Sequence, residues 1–156
     1  MTRLRTNAAV GIMAATLVGG FEGDRRTAYQ DVVGVWTVCS GHTVGVKRGD
    51  HYSLAQCRQI LISDMDIYAN GVEKCTKVQI PDQPYIAFVS FAFNLGVGRY
   101  CQAIAPLVNS GHMEAACDKL LNYDKARRLG ILVTYPGLTR RREEESSLCH
   151  QGHNIS

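Results

Sequence analysis

The stretch that most restricts the fold is YIAFVSFAFNL, Tyr85 to Leu95, apolar on every side of a helix. A helix without a polar face has nothing to turn towards water and has to be surrounded by other elements. It follows Pro81 and Pro84 and stops at Gly96, so it reads as the centre of a helical lobe. Amphipathic segments follow near Arg99 to Asn109 and His112 to Tyr123, and a last helix is expected from Thr139 to Cys149. The stretch from Lys125 to Pro136 is ambiguous, and the tail from His150 is expected to fray.

At 156 residues the chain has the size of one domain, with room for two lobes. Hydrophobic residues make up 46% and charged ones 20%, which argues against disorder and against an integral membrane protein. The net charge of +3 favours an anionic polymer such as a bacterial wall. No basic stripe interleaved with aromatics points to nucleic acid.

Six cysteines (Cys39, Cys57, Cys75, Cys101, Cys117 and Cys149) are dispersed along the chain. An even, dispersed set reads as disulfides and an oxidising compartment, since zinc would need close-spaced ligand pairs. Six cysteines allow about fifteen pairings. Coarse placement favours Cys39 with Cys57, Cys75 with Cys101 and Cys117 with Cys149, each loop contributing about 3 to 4 kcal/mol.

Arg3 and Arg5 precede an uncharged run from Thr6 to Phe21, an arrangement shared with secretory signals. The run is short for a membrane span, which needs about 20 apolar residues. It reads first as a structural helix, with transient membrane association as a compatible second role. Thr6 or Asn7 can cap it, and Val10, Met13, Leu17 and Phe21 recur at helical steps as its buried face. Gly19, Gly20 and Gly23 are expected to break it. From Ala28 to Tyr52, β-branched and aromatic runs alternate with glycines, the pattern of a small antiparallel sheet. Ser53 and Gln56 form a capping-box signal for a long helix carrying Leu54, Cys57, Leu61, Met65, Tyr68 and Val72, ending near Gly71.

Chemistry concentrates at the junction of the first helix and the sheet. Glu22 falls at the helix exit, Asp31 nine positions on and Thr37 six further. Most carboxylates at such a spacing are solvated surface charges, but this setting is rigid and glycine-rich. Two carboxylates and a hydroxyl are a minimal set for glycoside hydrolysis: one carboxyl protonates the leaving oxygen, the other orders a water.

These residues resemble a known family. FEG at 21–23, Asp31, GVWT at 34–37 and GHT at 41–43 are similar to the signature of phage-type lysozymes, the muramidase endolysins of glycoside hydrolase family 24. FAFNLGVG at 91–98, ACDKLL at 116–121 and GLTRRREEE at 137–145 extend the likeness over nearly the whole chain. Among its members the chain resembles the cysteine-bearing periplasmic endolysins, some with a signal-arrest-release segment. Tyr123, where the family usually has Trp, and Lys125-Ala126-Arg127-Arg128, in place of a glycine-rich loop, depart from the pattern.

The resemblance implies an α+β, two-lobed lysozyme-like fold forming a single domain over 1–156. A sheet lobe with the connecting helix would cover 22–75, and a helical lobe 1–21 and 76–156. It implies cleavage of the β-1,4 bond between N-acetylmuramic acid and N-acetylglucosamine of peptidoglycan, with inversion, without metal or cofactor, for host-cell lysis. Glu22 would be the general acid, a role that calls for burial in the cleft. Asp31 and Thr37 would hold the attacking water. His42 is expected to pair with Asp64 on the long helix, Asn94 to bind substrate, and Tyr29 and Trp36 to stack on sugars or join the core. Cys39 is either half of a fixed disulfide or an exchanging thiol. Arg141, Arg142 and Glu145 read as a solvated or lobe-bridging helix face. The protein would act as a monomer in the host periplasm. A lytic transglycosylase and a non-catalytic wall-binding module are the competing readings.

Overall fold

The computed structural model describes residues 1–153, and positions 154–156 of the tail expected to fray lie outside them. The chain divides into two compact units, Arg3–Asp66 and Ile67–Ser156 with Met1–Thr2.

The first unit opens with a single helical turn, α1 (Arg3–Thr6), which buries Leu4. α2 (Ala8–Glu22) follows, its first turn closed by the Asn7 side chain, which accepts from the Val10 N–H. The buried face is not the expected one. Val10 is buried, but Met13 is 43% exposed and Leu17 and Phe21 are only half-buried. Val10, Gly11, Ala14, Ala15, Val18 and Gly19 face inward instead. Small residues win that position because neighbours come too close for larger ones. A Cβ on Gly11 would lie 2.6 Å from the Leu4 carbonyl oxygen, and one on Gly19 only 1.7 Å from a guanidinium nitrogen of Arg58. Gly19 and Gly20 therefore do not break α2, which runs on to Glu22 and ends at Gly23, at φ +83°.

β1 (Arg25–Gln30) and β2 (Trp36–Cys39) pair antiparallel, with Tyr29 opposite Thr37 and Gln30 opposite Trp36. Residues 50–52 add to β1 through Ala28 N–H to Asp50 and Tyr52 N–H to Arg26. Val44 to Val46, expected to be strand, form turn instead. Val38, Cys39 and Cys57 make a small core with Val46, Tyr52 and Ile60 packed against it. α3 (Leu54–Cys75) starts at the capping box, realised in both directions: Gln56 N–H to Ser53 Oγ at 3.1 Å and Ser53 N–H to Gln56 Oε1 at 2.8 Å. The division between the two units falls inside α3.

In the second unit α4 (Asp82–Leu95) is buried from Pro84 through Ala92, as its all-round apolar sequence requires. Phe88 stacks obliquely on Tyr100 at 5.3 Å, and Phe91 meets Tyr123 edge-on at the same distance. α5 (Val97–Arg99) and α6 (Ala105–Asn109) are joined by one π-helical turn, and α7 (Met113–Lys119) ends in a short 3-10 turn. The ambiguous stretch is a hairpin, β3 (Lys125–Arg128) and β4 (Ile131–Thr134). α8 (Pro136–His153) is longer than expected at both ends and packs along α4. Its Gly152 lies where a Cβ would be 2.3 Å from Pro84.

α3 passes Gly71 instead of ending there, because the missing side chain admits Val97: a Cβ would stand 2.5 Å from that residue's methyl carbon. Gly71→Ala should thus destabilise by about 1–3 kcal/mol through overpacking. Gly20→Ala, in α2 with nothing within 4 Å of the added carbon, should stabilise by about 0.5–1 kcal/mol. Urea melts of the two variants check both signs.

Disulfides join Cys39 to Cys57, Cys75 to Cys101 and Cys117 to Cys149.

Candidate active site

Glu22 is the last residue of α2 and is exposed. The burial expected of it is therefore absent in this unit. The residue that follows it is held at both backbone groups. Gly23 N–H returns to the Gly19 carbonyl at 2.9 Å, and Ser40 Oγ–H donates to the Gly23 carbonyl at 3.1 Å. Arg58, reaching from α3, lies over Gly19 and pairs with Asp24 at 2.9 Å, both side chains only about one-fifth exposed. Neither Arg58 nor Asp24 stood out in the sequence; only their proximity in the fold marks them.

Asp31 caps the turn that follows β1. Its Oδ1 accepts the N–H groups of Val33 and Val35, both at 2.9 Å, while its own N–H donates to the Val35 carbonyl. This Asx arrangement fixes the carboxylate plane and leaves Oδ2 outside the turn's hydrogen bonds. Thr37 is 4% exposed, and its hydroxyl donates to the Val35 carbonyl at 3.0 Å. Since alternate residues of a strand share a face, and Tyr29 stands opposite Thr37, the register brings Asp31, Tyr29 and Thr37 to one face of the hairpin. One face of the Tyr29 ring is covered by Arg25, 3.8 Å from its centroid.

His42 exchanges both backbone hydrogen bonds with Val38 at 2.9 Å, and its ring tilts towards Tyr52. Partial burial pushes the Asp64 carboxyl above the usual carboxylate range, and the His42 charge pulls in the opposite direction. Cys39 ties β2 to Cys57 on α3, two residues beyond Thr37.

Asn94, on the last turn of α4, belongs to the second unit. Its Oδ1 accepts from Arg142 Nη2 at 3.0 Å. Of the two readings of Arg141, Arg142 and Glu145, a solvated or a lobe-bridging face, the solvated one does not hold: Arg141 is 4% exposed and Arg142 and Glu145 are fully enclosed. Glu145 Oε1 receives the Ser90 hydroxyl at 2.6 Å, Arg141 Nε at 3.2 Å and Arg142 Nη2 at 3.0 Å. Arg142 Nε faces Oε2 at 2.8 Å but off-axis, an electrostatic contact without an aligned hydrogen bond. Helical spacings of three and four residues aim these charges at one another, so they can be buried together. Burial still pushes the Glu145 carboxyl up and the Arg142 guanidinium down, each towards its neutral form.

The family profile described as Phage lysozyme matches residues 19–145, from the last turns of α2 into α8. The chain belongs to the phage lysozyme family. It is accordingly a hydrolase of the muramidase class. It is 32% identical over 151 residues to the SAR-endolysin of Enterobacteria phage PA-2, covering 92% of this chain and 89% of that protein. Among solved structures it is similar to the muramidase domain of SpmX from Asticaccaulis excentricus, with a TM-score of 0.76, 28% identity and coverage of 88% and 94%. The active form of the P1 phage endolysin Lyz gives a TM-score of 0.73 at 28% identity, covering 98% of this chain and 93% of that one. These likenesses make the lysozyme-like α+β architecture a property of this phage lysozyme family member.

Proposed function

We propose that this enzyme cleaves the β-1,4 bond between N-acetylmuramic acid and N-acetylglucosamine of bacterial peptidoglycan with inversion, and that it does so for host-cell lysis. The observation that carries this reading is the hydrogen-bond polarity of Asp31 and Thr37. The Thr37 hydroxyl already donates to Val35, and Asp31 has one carboxylate oxygen outside its turn. Both groups are then acceptors. A water between them would donate both its hydrogens and turn a lone pair outward, the orientation an attacking nucleophile needs.

In the proposed step the water oxygen bonds to the anomeric carbon as the carbon–oxygen bond to the leaving sugar breaks. The water's proton passes to Asp31, and the proton of Glu22 passes to the leaving oxygen. Because Glu22 is exposed, the desolvation that favours its acid form would come from the glycan laid across it. Asn94, with its oxygen held by Arg142, would offer its amide N–H groups to an acetamido carbonyl. Tyr29 would meet a sugar with the ring face that Arg25 leaves open. We place the action in the host periplasm, with the chain a monomer of one domain that has a sheet lobe of 22–75 and a helical lobe of 1–21 and 76–156. Among the described residues no helix is long and apolar enough to cross a membrane; transient membrane association of the N-terminal segment is part of the proposal.

Proton NMR of the first sugar released from a chitooligosaccharide or muropeptide substrate tests the stereochemistry. The α-anomer is expected from the β-linked substrate. Initial release of the β-anomer would rule out inversion, and 1,6-anhydro products would identify a transglycosylase.

A further inference from the structure

The β3–β4 hairpin carries side chains that neither folding nor the chemistry above accounts for. Leu129 and Gly130 form its two-residue turn, both at positive φ (52° and 79°). Turns of this type favour Asn-Gly or Asp-Gly, because a branched apolar side chain fits that backbone poorly. Leu129 gains nothing from packing in return, being 96% exposed. Behind it Ile131 and Leu132 are 68% and 57% exposed. Their cross-strand partners are cations: Arg128 stands opposite Ile131, and Arg127 opposite Leu132. Arg127 also donates to the Gly130 carbonyl at 3.3 Å, which holds its guanidinium at the level of the turn. Residues 125–134 contain no acid, and Asp124 at the base is engaged by Lys125 and Thr139.

We propose that this hairpin docks the enzyme on an anionic lipid bilayer. Leu129, Ile131 and Leu132 enter the boundary of the acyl region while Arg127 and Arg128 stay among the phosphates. Aliphatic tips flanked by long cationic stems are the combination that interfacial elements use, apolar area supplying depth and the cations supplying selection for anionic leaflets. A glycan is the poorer match, since its hydroxyls need polar partners that Leu and Ile do not have. The inference is independent of the catalytic assignment.

The test is co-sedimentation of the whole disulfide-bonded chain with vesicles containing phosphatidylglycerol, with vesicles of phosphatidylcholine alone, and with purified sacculi. Binding to the anionic vesicles, weakened by salt, is expected. Arg127→Gln with Arg128→Gln should weaken it roughly twenty-fivefold, at about fivefold per cation. Leu129→Asn, which suits a positive φ and so keeps the turn, should weaken it about tenfold. Wild-type chain that ignores anionic vesicles would overturn the proposal, as would variants that bind them like wild type. Variants that lose affinity for sacculi but keep it for vesicles would show that the hairpin contacts the wall instead.

Discussion

Glu22→Gln is expected to lower the rate of cell-wall lysis by about 10²–10⁴-fold, the contribution of a positioned general acid, while leaving the melting temperature near that of wild type. The two halves of this expectation come from one location. Glu22 ends α2 at an exposed position, and the amide has the size and shape of the acid it replaces. The helix exit around it is held by Gly23, bonded to Gly19 and Ser40, and by the Arg58–Asp24 pair, so the amide occupies the place of the acid. Turbidity loss of permeabilised cells, followed beside thermal unfolding, measures both. Equal lysis by the two proteins would defeat the assigned mechanism. A protein that binds sacculi without clearing them in either form would be a wall-binding module.

The largest effect on stability is expected at the opposite kind of carboxylate. Glu145→Leu should destabilise the fold by about 3–5 kcal/mol, because it takes from the fully enclosed Arg142 guanidinium the carboxylate it meets at 2.8 Å and breaks a buried ion pair from one side. Against a total stability of about 5–15 kcal/mol this is enough to unfold a marginal variant near body temperature. Arg142→Met combined with Glu145→Leu should recover much of the loss, since an apolar pair of similar volume carries no desolvation penalty. Ser90→Ala, which removes one of the donors to Glu145, should cost about 1–3 kcal/mol. Urea unfolding of the three proteins orders them. A Glu145→Leu variant within about 1 kcal/mol of wild type would mean the cluster contributes little.

These two residues also mark how far the sequence could be read. Where a signal is local, it survives folding. Asn7 caps α2, Ser53 and Gln56 close the start of α3, and the all-round apolar run becomes a buried helix. Asp31 and Thr37 share a face because a strand's alternation is itself local. Where the outcome depends on what comes alongside, the reading fails. Large side chains suggested the inner face of α2, but approach by Leu4 and Arg58 selected the glycines and alanines. Gly71 resembled a helix terminus and is a seat for Val97. RRREEE had the composition of a wet surface, which Arg140, Glu143 and Glu144 keep, while Arg141, Arg142 and Glu145 are buried beside Ser90 and Asn94, some fifty residues away. The β3–β4 hairpin was hidden because its strands alternate poorly and its turn uses Leu-Gly. Arg58 and Asp24, 34 residues apart, have no periodicity to announce them.

The disulfides spaced 18, 26 and 32 residues apart follow one another along the chain without nesting or crossing. Each can therefore be oxidised as soon as its own stretch emerges into an oxidising compartment, before any later cysteine is available to compete. Vectorial delivery from the N-terminus would thus select the native set among the roughly fifteen pairings by order of arrival alone. Refolding from the fully reduced, full-length chain removes that order, and should scramble more than vectorial delivery would.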